Sequence, residues 1–193
     1  MMGFGFYFIT NNGLIKHIFR FGGNKKSNYK KKYLKDIKLV VCDVDGVLTD
    51  GKMIYSEKGD ELKNFNTKDG IAAKLLKNGG YKLAIISSGI CINLINKRGN
   101  FLGFDKIIVT DKSKIAELDN LLNDFGLQYD NVLYIGDDIN DYEAMKRCRI
   151  RCCPADACKK IRWISDIVFR SSGGDGCLRE AAELLLGEAD CGK

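Results

Sequence analysis

The sequence predicts an α/β domain, a Rossmann-like parallel sheet with helices on both faces, and three observations carry that expectation. From residue 37 onward short apolar runs alternate with longer amphipathic ones, the pattern of strands joined by helical crossovers. The clearest helical runs stop at glycine, the residue that most easily takes the left-handed closing conformation. A single proline in 193 residues leaves little room for structureless linkers. The length suits one hydrophobic core, so a single domain is expected over residues 37–187, between a leader at 1–36 and a short tail at 188–193.

Six strands are expected: Ile37–Cys42, Lys82–Ile86, Lys106–Val109, Val132–Ile135, Ile150–Cys152 and Ile167–Phe169. Two helices between them are well marked. "DGIAAKLLKNGG" sets Ile71, Leu75 and Leu76 on one face before a glycine pair, and "DKSKIAELDNLLNDFG" repeats Ile115, Leu118, Leu121 and Leu122 up to Gly126. The alternation breaks once. Lys52–Tyr55 and Glu61–Asn66 are short alternating pieces around the turn "EKGDE", which predicts a β-hairpin inserted after the first strand and leaves no room for a large cap domain.

The net charge of +6 is concentrated at one end. Through residue 38 there are nine basic residues and one acid, Asp36, while the remainder holds 22 basic and 24 acidic residues. The domain proper is therefore slightly acidic, and a nucleic-acid partner is not expected of it. The lysine- and asparagine-rich leader is expected to be a solvated arm; RNA contact through it, or a start codon upstream of the true one, are alternative explanations. Its apolar beginning lacks the flanks of a secretory signal, and no run approaches the roughly 20 apolar residues of a membrane span. Eight cysteines without a C-x-x-C pair fit reduced thiols in a cytoplasm better than disulfides or zinc. The cluster from Cys148 to Cys158 is the one candidate for a soft metal, weakened because Cys152 and Cys153 should diverge on a strand.

In "KLVVCDVDGVLTD" the most apolar strand runs straight into Asp43 and Asp45, and "VLYIGDDIND" does the same with Asp137, Asp138 and Asp141. Ligands of open parallel sheets gather at the carboxyl ends of the strands. Several carboxylates in one crevice repel unless a cation neutralises them, and oxygen-only ligands select a hard ion such as Mg²⁺. A calcium loop does not fit, because Gly46 falls too early and a strand rather than a helix precedes. The lone His17 lies in the leader, which leaves histidine chemistry without a candidate inside the domain.

Taken in order, these pieces resemble the haloacid dehalogenase superfamily of phosphotransferases. Its first motif matches "DVDGVLTD", its second Ser87 in "LAIISSG", its third Lys114 in "TDKSKIAEL" and its fourth "GDDIND", over about residues 37–187. The hairpin, "FNTKDG" and "SSGGDGCLRE" further resemble the capless phosphatases of 3-deoxy-manno-octulosonate 8-phosphate and their sialic-acid and KDN 9-phosphate relatives. The resemblance implies Asp43 as nucleophile, Asp45 as general acid and base, and a Mg²⁺ site from Asp43, Asp137 and the backbone carbonyl of Asp45. It implies phosphate contacts from Ser87 and Lys114, with Gly46, Asp138 and Asp141 supporting. Asn66, Thr67, Lys68, Asp69 and Gly70 are expected to line the sugar pocket, with Lys74 and Lys97 toward a substrate carboxylate. A homotetramer is implied as well, in which hairpins associate and a neighbour's tail closes each site, with Gly173–Gly176 as hinge and Arg179 as either a helix-start contact or a substrate ligand. One departure bears on the substrate: Ser87-Ser88-Gly89 is not followed by the usual arginine, which opens the alternative of a nine-carbon keto sugar acid 9-phosphate. A catalytically silent assembly module of sugar-nucleotide synthesis is the alternative from a different class.

Overall fold

The computed structural model describes residues 34–187, so the expected leader and tail lie almost wholly outside the described residues. Strands β1 (Leu39–Cys42), β4 (Lys82–Ser87), β5 (Lys106–Val109), β6 (Val132–Ile135), β7 (Ile150–Cys153) and β8 (Ile167–Val168) form one sheet in the order β5-β4-β1-β6-β7-β8. Every neighbouring pair is parallel. The hairpin strands β2 (Ile54–Tyr55) and β3 (Glu61–Leu62) pair antiparallel in a sheet of their own, shorter than the alternation suggested. Ser56 and Asp60 tie the turn between them, hydroxyl to carboxylate at 3.0 Å.

β1 shows why the sheet must be covered on both sides. Val40 and Cys42 pack into one core with Leu83, Ile85 and Ile135, whereas Leu39 and Val41 pack into the other with Ala84, Ile86 and Tyr134, the two-residue period of a strand. Helices α1 (Thr67–Asn78), α2 (Ile92–Leu102) and α6 (Cys177–Leu186) cover the first face. Helices α3 (Lys114–Phe125), α4 (Tyr142–Arg147) and α5 (Lys159–Ile164) cover the second. The neighbouring Cys152 and Cys153 are divided between the two cores, where each fills space as a small apolar residue.

The chain runs outward through β4 and β5 and then returns to place β6 on the other side of β1. That reversal opens a crevice beyond the strand ends, the general ligand position of such sheets. Register puts Cys42 level with both Ile85 and Ile135, and the Asp43 amide donates to the Ile135 carbonyl at 3.0 Å. Both aspartate motifs therefore emerge at one height.

The C-terminal segment is fastened to the same end of the sheet. Asn66 caps α1 by accepting from the Lys68 amide at 2.9 Å and donates its own amide to the Gly174 carbonyl at 3.0 Å. Asp69, buried in the first turn of α1, accepts from the Arg179 amide in the first turn of α6 at 3.2 Å, while its other oxygen has no partner. Burial pushes this carboxyl up to about 6. The charged form is thus disfavoured in the fold; the group is neutral in both states only well below its ordinary value of 3.8, and stability is lost as pH rises through that value to about 6. Asp69→Asn, which keeps the accepting oxygen without the charge, is expected to stabilise the protein by roughly 1–3 kcal/mol at pH 7 and by well under about 1 kcal/mol at pH 4. Urea unfolding of both proteins at the two pH values checks this, and an equal difference at both would contradict it.

Candidate active site

The apolar register ends and acidic chemistry begins one residue past β1. Asp43 is 4% exposed, with Oδ1 accepting from the Val44 amide at 2.7 Å and Oδ2 from Lys114 Nζ at 2.6 Å. Lys114 opens α3 and is itself 2% exposed; its ammonium also reaches Asp141 Oδ1 at 2.8 Å. Asp141 is saturated: Oδ1 accepts in addition from the Tyr134 hydroxyl at 3.0 Å, and Oδ2 from the Asp137 amide at 3.1 Å. One oxygen from each of Asp43, Asp137 and Asp141 lies within 4.8 Å of the others.

Two glycines make this crowding feasible. Gly46 has φ +84°, and a Cβ there would collide with the Asp137 carboxylate. A Cβ on Gly136 would stand 2.5 Å from Asp141 Cγ. Three carboxylates lie around one ammonium, which bonds only Asp43 and Asp141; when ionised the acids outnumber the cation, and their titration reflects it. Burial first, then the neighbouring Asp141, pushes Asp43 up to about 7. Burial, then Asp43 and Asp141, pushes Asp137 up to about 7. Burial alone would pull Lys114 down, but Asp43 and Asp141 more than reverse it, and the net shift is upward. A cluster of hard oxygen donors with this surplus charge fits a divalent cation such as Mg²⁺.

The crevice has a volume of about 350 Å³ and is lined by Asp43, Asp45, Gly46, Ser87, Ser88, Gly89, Asp137 and Asp138, among others. Ser87 closes β4 fully buried, its hydroxyl oxygen accepting from the Gly89 amide at 3.2 Å, while the exposed Ser88 stands at the rim. Asp138 is exposed and accepts from the Ile139 amide at 2.7 Å. Asp45 Oδ1 accepts from Thr49 Oγ1 at 3.3 Å and from Lys63 Nζ at 2.7 Å. Lys63, Thr49 and Tyr134 were not singled out in the sequence. Tyr134 carried no signal beyond that of an apolar strand residue, and Lys63 sits in a hairpin too short for alternation to assign its side.

The residues expected on the sugar side lie elsewhere within one chain. Thr67 and Lys68 line a second groove of about 470 Å³ with Ile71, Arg179 and Glu183. Gly70 packs toward Leu102, and Lys74 and Lys97 are exposed on α1 and α2. Asp69 is buried against the start of α6, where its short side chain meets the Arg179 amide, and it lines neither groove. Gly173 and Gly174 likewise have a reason to be glycine other than a hinge. A Cβ on Gly173 would collide with the Gly46 carbonyl, and one on Gly174 would lie 2.6 Å from the Asp50 amide nitrogen.

A model of the haloacid dehalogenase-like hydrolases matches residues 30–155. The 3-deoxy-D-manno-octulosonate 8-phosphate phosphatase KdsC of Escherichia coli strain K12 is 34% identical over 152 residues, 79% of this chain and 80% of that protein. The corresponding phosphatase of Moraxella catarrhalis, solved with magnesium ion, phosphate ion and a KDO molecule, superposes with a TM-score of 0.79 at 34% identity, covering 82% of this chain and 91% of that one. The cobalt-bound phosphatase of Haemophilus influenzae gives 0.76 at 32% identity, over 83% and 92%. With the parallel sheet, the paired aspartate motifs at its strand ends and the buried lysine between them, the chain belongs to the haloacid dehalogenase-like hydrolases.

Proposed function

We propose that this hydrolase is a Mg²⁺-dependent phosphatase of a sugar acid, with 3-deoxy-D-manno-octulosonate 8-phosphate as substrate. The observation that carries the reading is the cluster at the tips of β1 and β6, where Asp43, Asp137 and Asp141 come together and a single ammonium pairs with Asp43 and Asp141. The relatives named above act on that ester by name, and one was solved with magnesium and phosphate ions.

In this reading Asp43 and Asp137, with the Asp45 backbone carbonyl, would hold Mg²⁺, whose charge would offset that of the acids and of the incoming phosphate. Asp43 attacks phosphorus, a bond forms from its carboxylate oxygen, and the bond to the sugar oxygen breaks in line. Asp45 gives its proton to that departing oxygen. It then takes a proton from the water that attacks the aspartyl-phosphate, which frees Asp43 and releases inorganic phosphate. Lys114 and the Ser87–Gly89 segment meet the phosphoryl oxygens, where charge spreads in the transition state. Asp141 keeps Lys114 and the Asp137 loop in place, and Asp138 shapes that loop. Asn66–Lys68, Gly70, Lys74 and Lys97 belong to the sugar-acid side only if a substrate or a second subunit bridges from the crevice to them.

Two observations extend the reading. Met53, Ile54, Tyr55 and Leu62 leave the hairpin apolar and exposed, which supports a homotetramer assembled through it. After Gly89 the chain presents Ile90, 77% exposed, where an arginine was expected, which favours a nine-carbon keto sugar acid 9-phosphate as second substrate. Among the described residues no helix is long and apolar enough to cross a membrane. The free cysteines among the described residues support a reducing, cytoplasmic setting for the enzyme.

A screen of phosphorylated eight- and nine-carbon keto sugar acids with Mg²⁺ tests the substrate, and release from neither would overturn the reading. Asp43→Asn is expected to lower kcat at least about 10³-fold with an unchanged circular dichroism spectrum, since no covalent step remains. Mg²⁺ affinity should rise roughly 10- to 100-fold from pH 6 to pH 8, because Asp43 and Asp137, each near 7, must lose protons to accept the ion. Calorimetry in two buffers of different ionisation enthalpy should register the released protons, and pH-independent affinity would contradict the assignment. Dilution to a monomer by light scattering is expected to depress specific activity, because water exclusion without a cap falls to neighbouring subunits.

A further inference from the structure

A buried cation beside the crevice bonds none of Asp43, Asp137 and Asp141 and meets the site only through the Asp45 side chain. Lys63 follows β3 by one residue, and its side chain is 1% exposed although β2 and most of the hairpin face solvent. Its ammonium lies 2.7 Å from Asp45 Oδ1 and 2.7 Å from Glu61 Oε1, and the Glu61 side chain is itself buried. Taking an ammonium out of water costs several kcal/mol unless it is closely paired, and here two carboxylates meet it. The Thr49 hydroxyl stands 3.3 Å from the same Asp45 oxygen and 3.3 Å from the Val44 carbonyl, which compete for its one proton, so Lys63 is the constant donor to Oδ1.

The other oxygen lies on the side of Gly89, which lines the crevice together with Asp45. A Cβ built on Gly89 would stand 2.9 Å from Asp45 Oδ2, so the missing side chain of Gly89 leaves open space in front of that atom. The terminal torsion of an aspartate is broad, and without its anchor the carboxylate would turn over a wide range. An error of about 1 Å in the placement of a reacting group can cost about 10²-fold in rate.

We propose that Lys63 is a positioning residue for Asp45, fixing its carboxylate by Oδ1 so that Oδ2 is the atom that exchanges the proton. The inference rests on the phosphatase reading above. As the bond from phosphorus to the sugar oxygen breaks, the electron pair goes to that oxygen and the proton on Oδ2 follows it. Glu61 belongs to β3, so the hairpin sets the position of Lys63 and through it that of the acid.

The test separates leaving groups. 3-Deoxy-D-manno-octulosonate 8-phosphate releases a poor alkoxide that needs the proton, whereas p-nitrophenyl phosphate releases an anion that does not. In single-turnover experiments with Mg²⁺, Lys63→Met is expected to slow phosphoenzyme formation from the sugar ester about 10²-fold, with KM changed less than about threefold. Phosphoenzyme formation from p-nitrophenyl phosphate should stay within about threefold of wild type, and Lys63→Arg should restore most of the sugar-ester rate. If Lys63→Met does not fold by circular dichroism, Glu61→Gln carries the test, with a sugar-selective fall of about tenfold. In an active enzyme, equal falls on both esters, or no fall on either, would overturn the inference alone. Wild-type protein inert toward both would overturn the phosphatase reading, and the inference with it.

Discussion

One ammonium placed between two buried carboxylates organises the crevice. Lys114 bridges Asp43 and Asp141 at 2.6 and 2.8 Å from the first turn of a helix, and all three groups are withdrawn from water. Desolvation on this scale is tolerated only with close pairing and saturated hydrogen bonds. Tyr134 and the Asp137 amide supply the remaining donors to Asp141. The arrangement therefore joins β1, β6, the loop after β6 and α3 in one polar contact. Removing Lys114 would leave two acids buried without a counter-charge, which ties the stability of this end of the sheet to its chemistry.

The backbone around that contact is shaped by what is missing from it. Gly46 and Gly136 leave room for Asp137 and Asp141, and Gly89 leaves room in front of Asp45. Each glycine sits at or just beyond the end of a buried strand, where the rigid ladder stops and the chain must turn within a few residues. Rigid strands fix the starting points of the acidic loops, and small residues let those loops approach closely. The raised titration of Asp43 and Asp137 follows from that proximity together with burial.

The sheet was legible in the sequence because its inner strands are buried on both faces and its strands read as continuous apolar runs; β5 and β6 match their expected bounds, and the others shift by one or two residues. The short helices α4 and α5 gave too few turns for a period to stand out. Asp43, Asp45 and Asp137 could be brought to one crevice from the strand ends they follow, whereas Ser87 and Lys114 stood out only through the resemblance to the family motifs. Lys63 and Asp69 were not. Both lie among polar residues whose side is decided by tertiary packing, Lys63 at the root of a two-residue strand and Asp69 in the first turn of a helix, where an acid is ordinary for that helix alone. That Asp69 serves the start of a different helix, more than a hundred residues on, is a property of the fold and not of its local sequence.

The glycine-rich segment before α6 shows how far the crevice depends on the end of the domain. Gly174 donates its amide to the Val47 carbonyl at 3.0 Å and accepts from Asn66, and Gly173 lies against Gly46. The loop carrying Asp43 and Asp45 is therefore packed between the sheet and residues 173–174. Asn66, which caps α1, and Asp69, which meets α6, stand three residues apart, so one helical turn fastens both the glycine segment and the helix behind it. The loop that carries both acids thus rests on the segment leading into the last helix, since Gly173 and Gly174 occupy the space beside Gly46 and Thr49. The hairpin, in a sheet of its own, reaches the crevice separately, through the Lys63 ammonium at Asp45.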